Sequence, residues 1–283
     1  MKVVFVILHY ITIDDTTQCI ESILENVEYN NYSIVIVDNG SKNNTGNELK
    51  EQYRDNKKVT IIINDENVGF AKGNNIGFRY AKNQLNADFI ILLNNDTVIT
   101  QHEFIINLIE SYKKSNFYIC GPNIVSRVDK SKQNPIKKEF YSIKDVKKRI
   151  IKLYLLKILS IFNIDEKGQK LYFKIKKRKV IDKSVDKDKD FKLHGCCLVF
   201  SKLYINKYEG LYDETFMYGE EDILKYISER DSLKMIYEKS INIFHKECSS
   251  TYAYLKEPLM KRRFYYSNSI NSYKKLLQLM KND

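Results

Sequence analysis

Residues 3–8, 33–37, 59–63 and 89–93 are short apolar runs, and helix-patterned segments at 16–26, 47–56 and 72–83 fill the gaps between them. This alternation calls for parallel strands joined by crossover helices, and parallel strands of one sheet all end at the same edge. Each run also stops abruptly in polar residues. His9-Tyr10 follow the first, Asp38-Asn39-Gly40-Ser41 the second, residues 64–77 the third, and Asn94-Asn95-Asp96-Thr97 the fourth. Ligands of open α/β sheets sit outside the carboxyl ends of the strands. Four polar loops are therefore expected to meet at one site.

Each loop has a chemical use and an ordinary structural one. Asp96, between amides at the end of Phe89-Ile90-Ile91-Leu92-Leu93, suits either a divalent cation with its phosphate or a strand-to-turn cap. Asp38 can accept hydrogen bonds from a nucleobase imide or a ribose hydroxyl, or can close an Asx-turn before Gly40. Tyr10 can stack on a base or join the core. Gly69, Gly73 and Gly77 lead into a helix whose backbone amides, with Lys72, could face a diphosphate. Their spacing is not that of G-x-G-x-x-G, and no Gly-Lys-Ser/Thr follows, so the dinucleotide and P-loop motifs lose their support.

The 283 residues carry a formal charge of +11, which favours anionic partners such as nucleotide phosphates, lipid head groups or nucleic acid. Cys19, Cys120, Cys196, Cys197 and Cys248 are odd in number and lack C-x-x-C spacing, as expected of reduced thiols in a cytoplasmic protein. The four histidines are too dispersed for a structural zinc. Residues 3–8 are too short for a membrane span and lack a small-residue cleavage site. No stretch of roughly 18 uncharged apolar residues occurs elsewhere.

Four blocks in order carry a resemblance: Val37-Asp38-Asn39-Gly40-Ser41, Asn67-x-Gly69-x-Ala71-x-Gly73-Asn74-x-x-Gly77, Leu92-Leu93-Asn94-Asn95-Asp96 and Asp213-Glu214-x-Phe216-x-Tyr218-Gly219-Glu220-Glu221-Asp222. Together they resemble family-2 glycosyltransferases of the GT-A fold, especially the bacterial rhamnosyltransferase-like branch, over residues 1–125 and 190–250. The resemblance implies an α/β, Rossmann-type nucleotide-sugar fold with a central, mostly parallel sheet flanked by helices. It implies inverting transfer of rhamnose or a hexose from a UDP- or dTDP-sugar to a glycan or lipid-diphosphate-linked acceptor in surface-polysaccharide assembly, helped by Mn²⁺ or Mg²⁺. Under it Asp96 holds the metal, and Asn94 stands where the family's Asp-x-Asp-like motif has its first acid. Tyr10, Asp38, Asn67, Lys72, Asn74, Asn94 and Asn95 serve the nucleotide.

An inverting displacement needs a base on the face of the sugar opposite the diphosphate. The resemblance assigns that role to Glu221, with Glu220 beside it and Asp222 the base if the frame shifts by one. A carboxylate cluster can raise one member's pKa by like-charge repulsion, but the same acids also suit a helix N-terminus. His194, Gly195 and Cys196 match the family's turn near donor sugar and acceptor, although the cysteine also fits simple packing. His245 falls where the family often has a histidine touching metal or diphosphate, and a histidine after a strand is as often structural.

The expected layout is one domain over 1–250, with a nucleotide-binding half at 1–125, a basic insertion at about 127–192 and a catalytic segment at 193–250. A helical extension follows at 251–283. Within the insertion the apolar segment 150–162, with Lys144, Lys148, Lys152 and Lys157 through and before it, suits an anionic membrane surface or packing on the core. A basic run follows at 174–179, and 254–280 is patterned as one or two helices. A nucleotidyltransferase would need a glycine-rich, Arg/Lys-terminated signature near the first strand, which is missing. A nucleic-acid binder would not place acids at the strand ends. The expected location is the cytoplasm, peripheral to the inner face of the plasma membrane.

Overall fold

The structure, a computed structural model, describes residues 1–140, 142–165, 190–247 and 257–283. The basic run 174–179, residues 254–256 and Cys248 lie outside them. The chain begins with β1 (Val3–His9), α1 (Ile13–Asn26), β2 (Tyr32–Asp38), α2 (Thr45–Gln52), β3 (Val59–Ile63), α3 (Phe70–Asn83) and β4 (Phe89–Asn94). Each apolar run has become a strand, and each carries its polar end residue to the sheet edge. Two boundaries differ from expectation by about a turn, the others by a residue or two. α1 starts one turn early, with Asp14 and Asp15 in its first turn, where acids complement the helix dipole. α2 stops at Gln52 because Tyr53 leaves the helix to bury its ring, donating to Glu21 Oε1 at 2.6 Å.

The chain continues with β5 (Thr97–Val98), α4 (Phe104–Ser115), β6 (Ile119–Ser126), β7 (Ile136–Lys137) and α5 (Ile143–Leu159), which runs into a 3₁₀ turn at Ser160–Phe162. After the undescribed stretch come β8 (Phe191–Lys192), β9 (Cys197–Ser201), α6 (Lys202–Ile205), α7 (Glu220–Arg230), β10 (Met235–His245) and α8 (Pro258–Asn282). The main sheet has the order β3-β2-β1-β4-β9-β6-β10-β5. Its pairings are parallel except β4 with β9, β6 with β9, and β10 with β5.

Side chains alternate across β1. Val3, Phe5 and Ile7 enter the core under α1 and α4, while Val4 and Val6 enter the core under α3, as a strand buried on both faces requires. A third apolar cluster lies off the sheet, where Val146, Ile150 and Leu153 of α5 meet Tyr266, Ile270 and Tyr273 of α8 together with Ile223 of α7. The inward face of the insertion helix is thus core. The C-terminal stretch is one helix that closes this layer.

At the end of β1, His9 is fully buried, its Nδ1 2.7 Å from Thr16 Oγ1 on α1 and its Nε2 2.9 Å from Thr45 Oγ1 on α2. Burial lowers its imidazole from 6.5 to about 4. Between those values the unfolded chain binds more protons than the native one, so stability falls as pH drops from about 6.5 to about 4. Urea unfolding across this range should show a loss of order 3 kcal/mol from this group, and His9→Gln should flatten the pH dependence while lowering stability at neutral pH.

Candidate active site

A cleft of about 620 Å³ opens at the carboxyl edge of the sheet, a size suited to a small-molecule ligand. One wall is built from strand ends: Tyr10 after β1, Asn39 after β2, Asn67 before α3, and Asn94, Asn95 and Asp96 at the end of β4. The facing wall carries His194, Gly195 and Cys196 ahead of β9, and Glu220, Glu221 and Asp222 in the first turn of α7. Register explains the convergence. β9 runs antiparallel with Cys197 opposite Leu93, so the residues that start β9 share an edge with those that end β4. β5 likewise puts Thr97 opposite His245.

Amides hold the first wall. Asn39 Nδ2 donates to Asn67 Oδ1 at 3.0 Å and to the Gly69 carbonyl at 3.2 Å, and its Oδ1 accepts the Val68 N–H at 3.2 Å. Gly69 has φ +90°, and a Cβ there would stand 2.4 Å from the Phe216 carbonyl. The next N–H, of Phe70, donates to that same carbonyl at 2.7 Å. Asn75 grips the backbone of Leu211 at both ends, accepting its N–H and donating to its carbonyl, each at 2.7 Å. The glycine-rich segment is thereby joined to the loop that precedes the acidic helix.

Not every expected nucleotide residue reaches the cleft. Asp38 is 2% exposed, and its Oδ1 accepts the Ser41 hydroxyl at 2.5 Å and the Ser41 N–H at 3.2 Å, so it closes the turn three residues on instead of lining the cleft. Asn74 is buried and donates to the Phe70 carbonyl one turn back. Lys72 is exposed on α3 away from the lining. Asn95 does line the cleft, with its Nδ2 2.9 Å from both Thr12 Oγ1 and Thr16 Oγ1.

Asp96 is 3% exposed and lies 3.3 Å from His245 Nε2 through Oδ1. His245 Nδ1 is 2.8 Å from Gln133 Oε1 and donates to it, which turns the Nε2 lone pair of a neutral ring toward the Asp96 carboxylate. A cation shared by both atoms would reconcile that contact. Among the described residues no group of three or more His, Cys, Asp or Glu side chains is placed to hold a metal alone. Asp96, which lines the cleft, and His245, which contacts it, nevertheless offer an oxygen and a nitrogen ligand side by side. This partial set fits Mn²⁺ or Mg²⁺, which complete their shells with diphosphate oxygens and water. His194 packs edge-on against His245, centroids 5.6 Å apart, and burial holds its imidazole below the usual range. The Cys196 thiol is pushed far up by burial and serves as packing.

The three acids differ sharply in surroundings. Asp222 is 6% exposed, with Oδ1 accepting from Lys192 Nζ at 2.6 Å and Oδ2 from the Tyr273 hydroxyl at 3.2 Å. With both oxygens engaged, Asp222 is poorly placed to take a proton from a ligand. Glu220 is also buried, and desolvation plus the adjacent Glu221 push it up to about 8, so it is neutral at pH 7. Glu221 is the least buried of the three, its Oε1 accepting the Gly195 N–H at 3.3 Å. A Cβ at residue 195 would lie 2.8 Å from that oxygen, so glycine is needed for the carboxylate to sit there.

A third wall was not signalled by any motif. It comes from Arg149 on α5 and from Tyr265, Ser269 and Tyr273 on one face of α8. Arg149 Nη2 donates to the Tyr265 hydroxyl at 3.0 Å. The only signal for it was helical spacing, Tyr265, Ser269 and Tyr273 being four residues apart.

Residues 5–190 match the family described as Glycosyl transferase family 2. The chain is 32% identical over 126 residues to dTDP-rhamnosyl transferase RfbF of Shigella flexneri, an alignment covering 44% of this chain and 40% of that protein. It is 32% identical over 93 residues to the low-salt glycan biosynthesis hexosyltransferase Agl10 of Haloferax volcanii, covering 33% of this chain and 28% of Agl10. The match therefore spans less than half of either curated relative. Among solved structures, S. aureus TarS 1–349 superposes with TM-score 0.55 at 9% identity, over 87% of this chain and 60% of TarS 1–349. The same protein in complex with UDP-GlcNAc gives TM-score 0.56 at 11% identity, over 88% and 60%. These structures share the fold.

The Lys192–Asp222 pair joins α7 to β8 in a buried setting. Lys192→Met, which strands the Asp222 charge, should cost about 3–5 kcal/mol in urea unfolding, and adding Asp222→Asn should restore most of the loss.

Proposed function

The chain belongs to glycosyl transferase family 2, and from that premise we propose that it transfers a sugar with inversion from a nucleoside diphosphate sugar to an acceptor hydroxyl. The observation that carries this reading is that Asp96 and Glu221 line one cleft at the carboxyl edge of a mostly parallel sheet. The names of the relatives support a dTDP- or UDP-sugar donor: one is a dTDP-rhamnosyl transferase, and the TarS structures include complexes with UDP-GlcNAc and with UDP. The nucleotide would lie along the strand-end wall, against Tyr10, Asn67, Asn94 and Asn95. Nucleotidyl transfer and nucleic-acid binding are not favoured, because acids outnumber the basic residues Arg149 and Lys192 in the cleft lining.

Asp96 and His245 would hold Mn²⁺ or Mg²⁺, which when bound neutralises the charge that develops on the departing diphosphate. Glu221 accepts the proton of the acceptor hydroxyl as its oxygen bonds to the anomeric carbon. The bond from that carbon to the diphosphate breaks, and its electron pair leaves with the nucleoside diphosphate. Gly195 keeps Glu221 seated through its N–H, while neutral Glu220 spares the pair a second negative charge. The acceptor is a glycan or a lipid-diphosphate-linked sugar of surface-polysaccharide assembly, met at the inner face of a membrane.

Thermal-shift titration with UDP-, dTDP- and GDP-sugars, with and without Mn²⁺, tests the donor. A metal-dependent rise in melting temperature with one nucleotide class is expected, and no shift with any of them would overturn the proposal. Asp96→Ala should abolish the metal-dependent part. Glu221→Gln should keep donor binding and lower turnover by about 10²–10⁴-fold. Near-normal turnover in that variant would remove Glu221 as the base. Gly195→Ala should leave donor binding intact and cost about 10²-fold in turnover by displacing Glu221.

A further inference from the structure

Seven of the thirteen large hydrophobic side chains exposed among the described residues fall between residues 151 and 164. Ile151, Leu155 and Ile158 lie one turn apart along α5, and Ile161, Phe162 and Ile164 follow on the turn beyond it. Their exposure is 68%, 56% and 54% on the helix and 64%, 70% and 43% on the turn. The opposite face of α5, with Val146, Ile150 and Leu153, is the one packed on α8, so the apolar outward face is a second face of the same helix. Among the described residues, no helix is long and apolar enough to cross a membrane.

The turn is built rather than loose. Arg263 Nη2 donates to the Ser160 carbonyl at 2.8 Å, and Arg262 Nε donates to Asp165 Oδ2 at 2.7 Å, with Asp165 fully buried. Arg262 Nη2 also reaches Asn163 Oδ1 at 2.8 Å. Two arginines of α8 thus hold the apolar tip in place. Charge on α5 is one-sided: six basic residues against Asp145 alone, with Lys144, Lys147 and Lys148 exposed on the outward face immediately before Ile151. Lysine turns followed by apolar turns on one exposed helix face match a bilayer whose head groups are anionic and whose interior lies just beneath them.

We infer that this outward face of α5 and its 3₁₀ turn docks on an anionic lipid bilayer. The inference rests on the proposed transfer only for its purpose: Arg149, on the inward side of the same helix, lines the cleft, so docking sets the cleft beside the lipid surface that would present a lipid-linked acceptor. Docking itself needs neither donor nor acceptor.

Co-sedimentation with phosphatidylcholine vesicles, with and without phosphatidylglycerol, is the test. The intact chain should bind the phosphatidylglycerol vesicles and release as salt rises, since lysine attraction is screened. The variants I151S/L155S/I158S and K144E/K147E/K148E should each lose about tenfold or more in vesicle affinity. Both should retain the wild-type melting temperature and donor-induced thermal shift, which separates failure of docking from failure of the transferase reading. Absence of vesicle binding by the intact chain, or full binding by both variants, overturns the inference. So does a wild-type dimer that the serine variant converts to a monomer without any change at the vesicle.

Discussion

Six strands of the main sheet point the same way, and this shared direction is what the cleft depends on. β1, β2 and β4 deliver Tyr10, Asn39 and Asp96 to one edge because each strand ends where its neighbours end. The two reversed strands serve the same edge from the other side. β9 begins where β4 ends, which brings His194, Gly195 and Cys196 to the cleft, and β5 pairs against β10 so that Asp96 meets His245. A one-residue slip in either pairing would turn these side chains to the opposite face.

Around that edge, buried polar contacts join segments distant in the chain. Asp222 collects Lys192 from β8 and Tyr273 from α8, holding the acidic helix between the insertion and the C-terminus. Asn75 and Gly69 tie α3 to the loop ahead of that helix. Satisfied polar groups of this kind rigidify a site, because breaking any one leaves a partner desolvated and unpaired. Glu221 is left as the least buried acid of the trio, held by the Gly195 N–H rather than by a cation, a selection made by its neighbours rather than by its own identity.

The two faces of α5 show how one pattern can satisfy two expectations. Its apolar content suited either a core helix or a membrane-surface helix, and the structure shows one face packed in the core and another left exposed. Val146, Ile150 and Leu153 are core, whereas Ile151, Leu155 and Ile158 are exposed. The acidic trio is similar, forming the first turn of α7 and lining the cleft at once.

The alternation of apolar runs with helical spacing determined the parallel sheet, the positions of β1 to β4 within a residue or two, and the edge to which Asp96 is delivered, since period and polarity are local properties of the chain. Local chemistry also left Asp38 two roles, nucleotide contact and turn formation, and in the folded arrangement its Oδ1 accepts from Ser41. Tertiary structure alone decided that Asp222 is engaged on both oxygens while Glu221 stays the least buried of the trio, because that depends on Lys192 and Tyr273 arriving from elsewhere. It also decided that Arg149, Tyr265 and Ser269 complete the third wall. Those residues sit on helices whose faces are assigned only when α5 and α8 pack together, and no spacing within either segment specifies its partner.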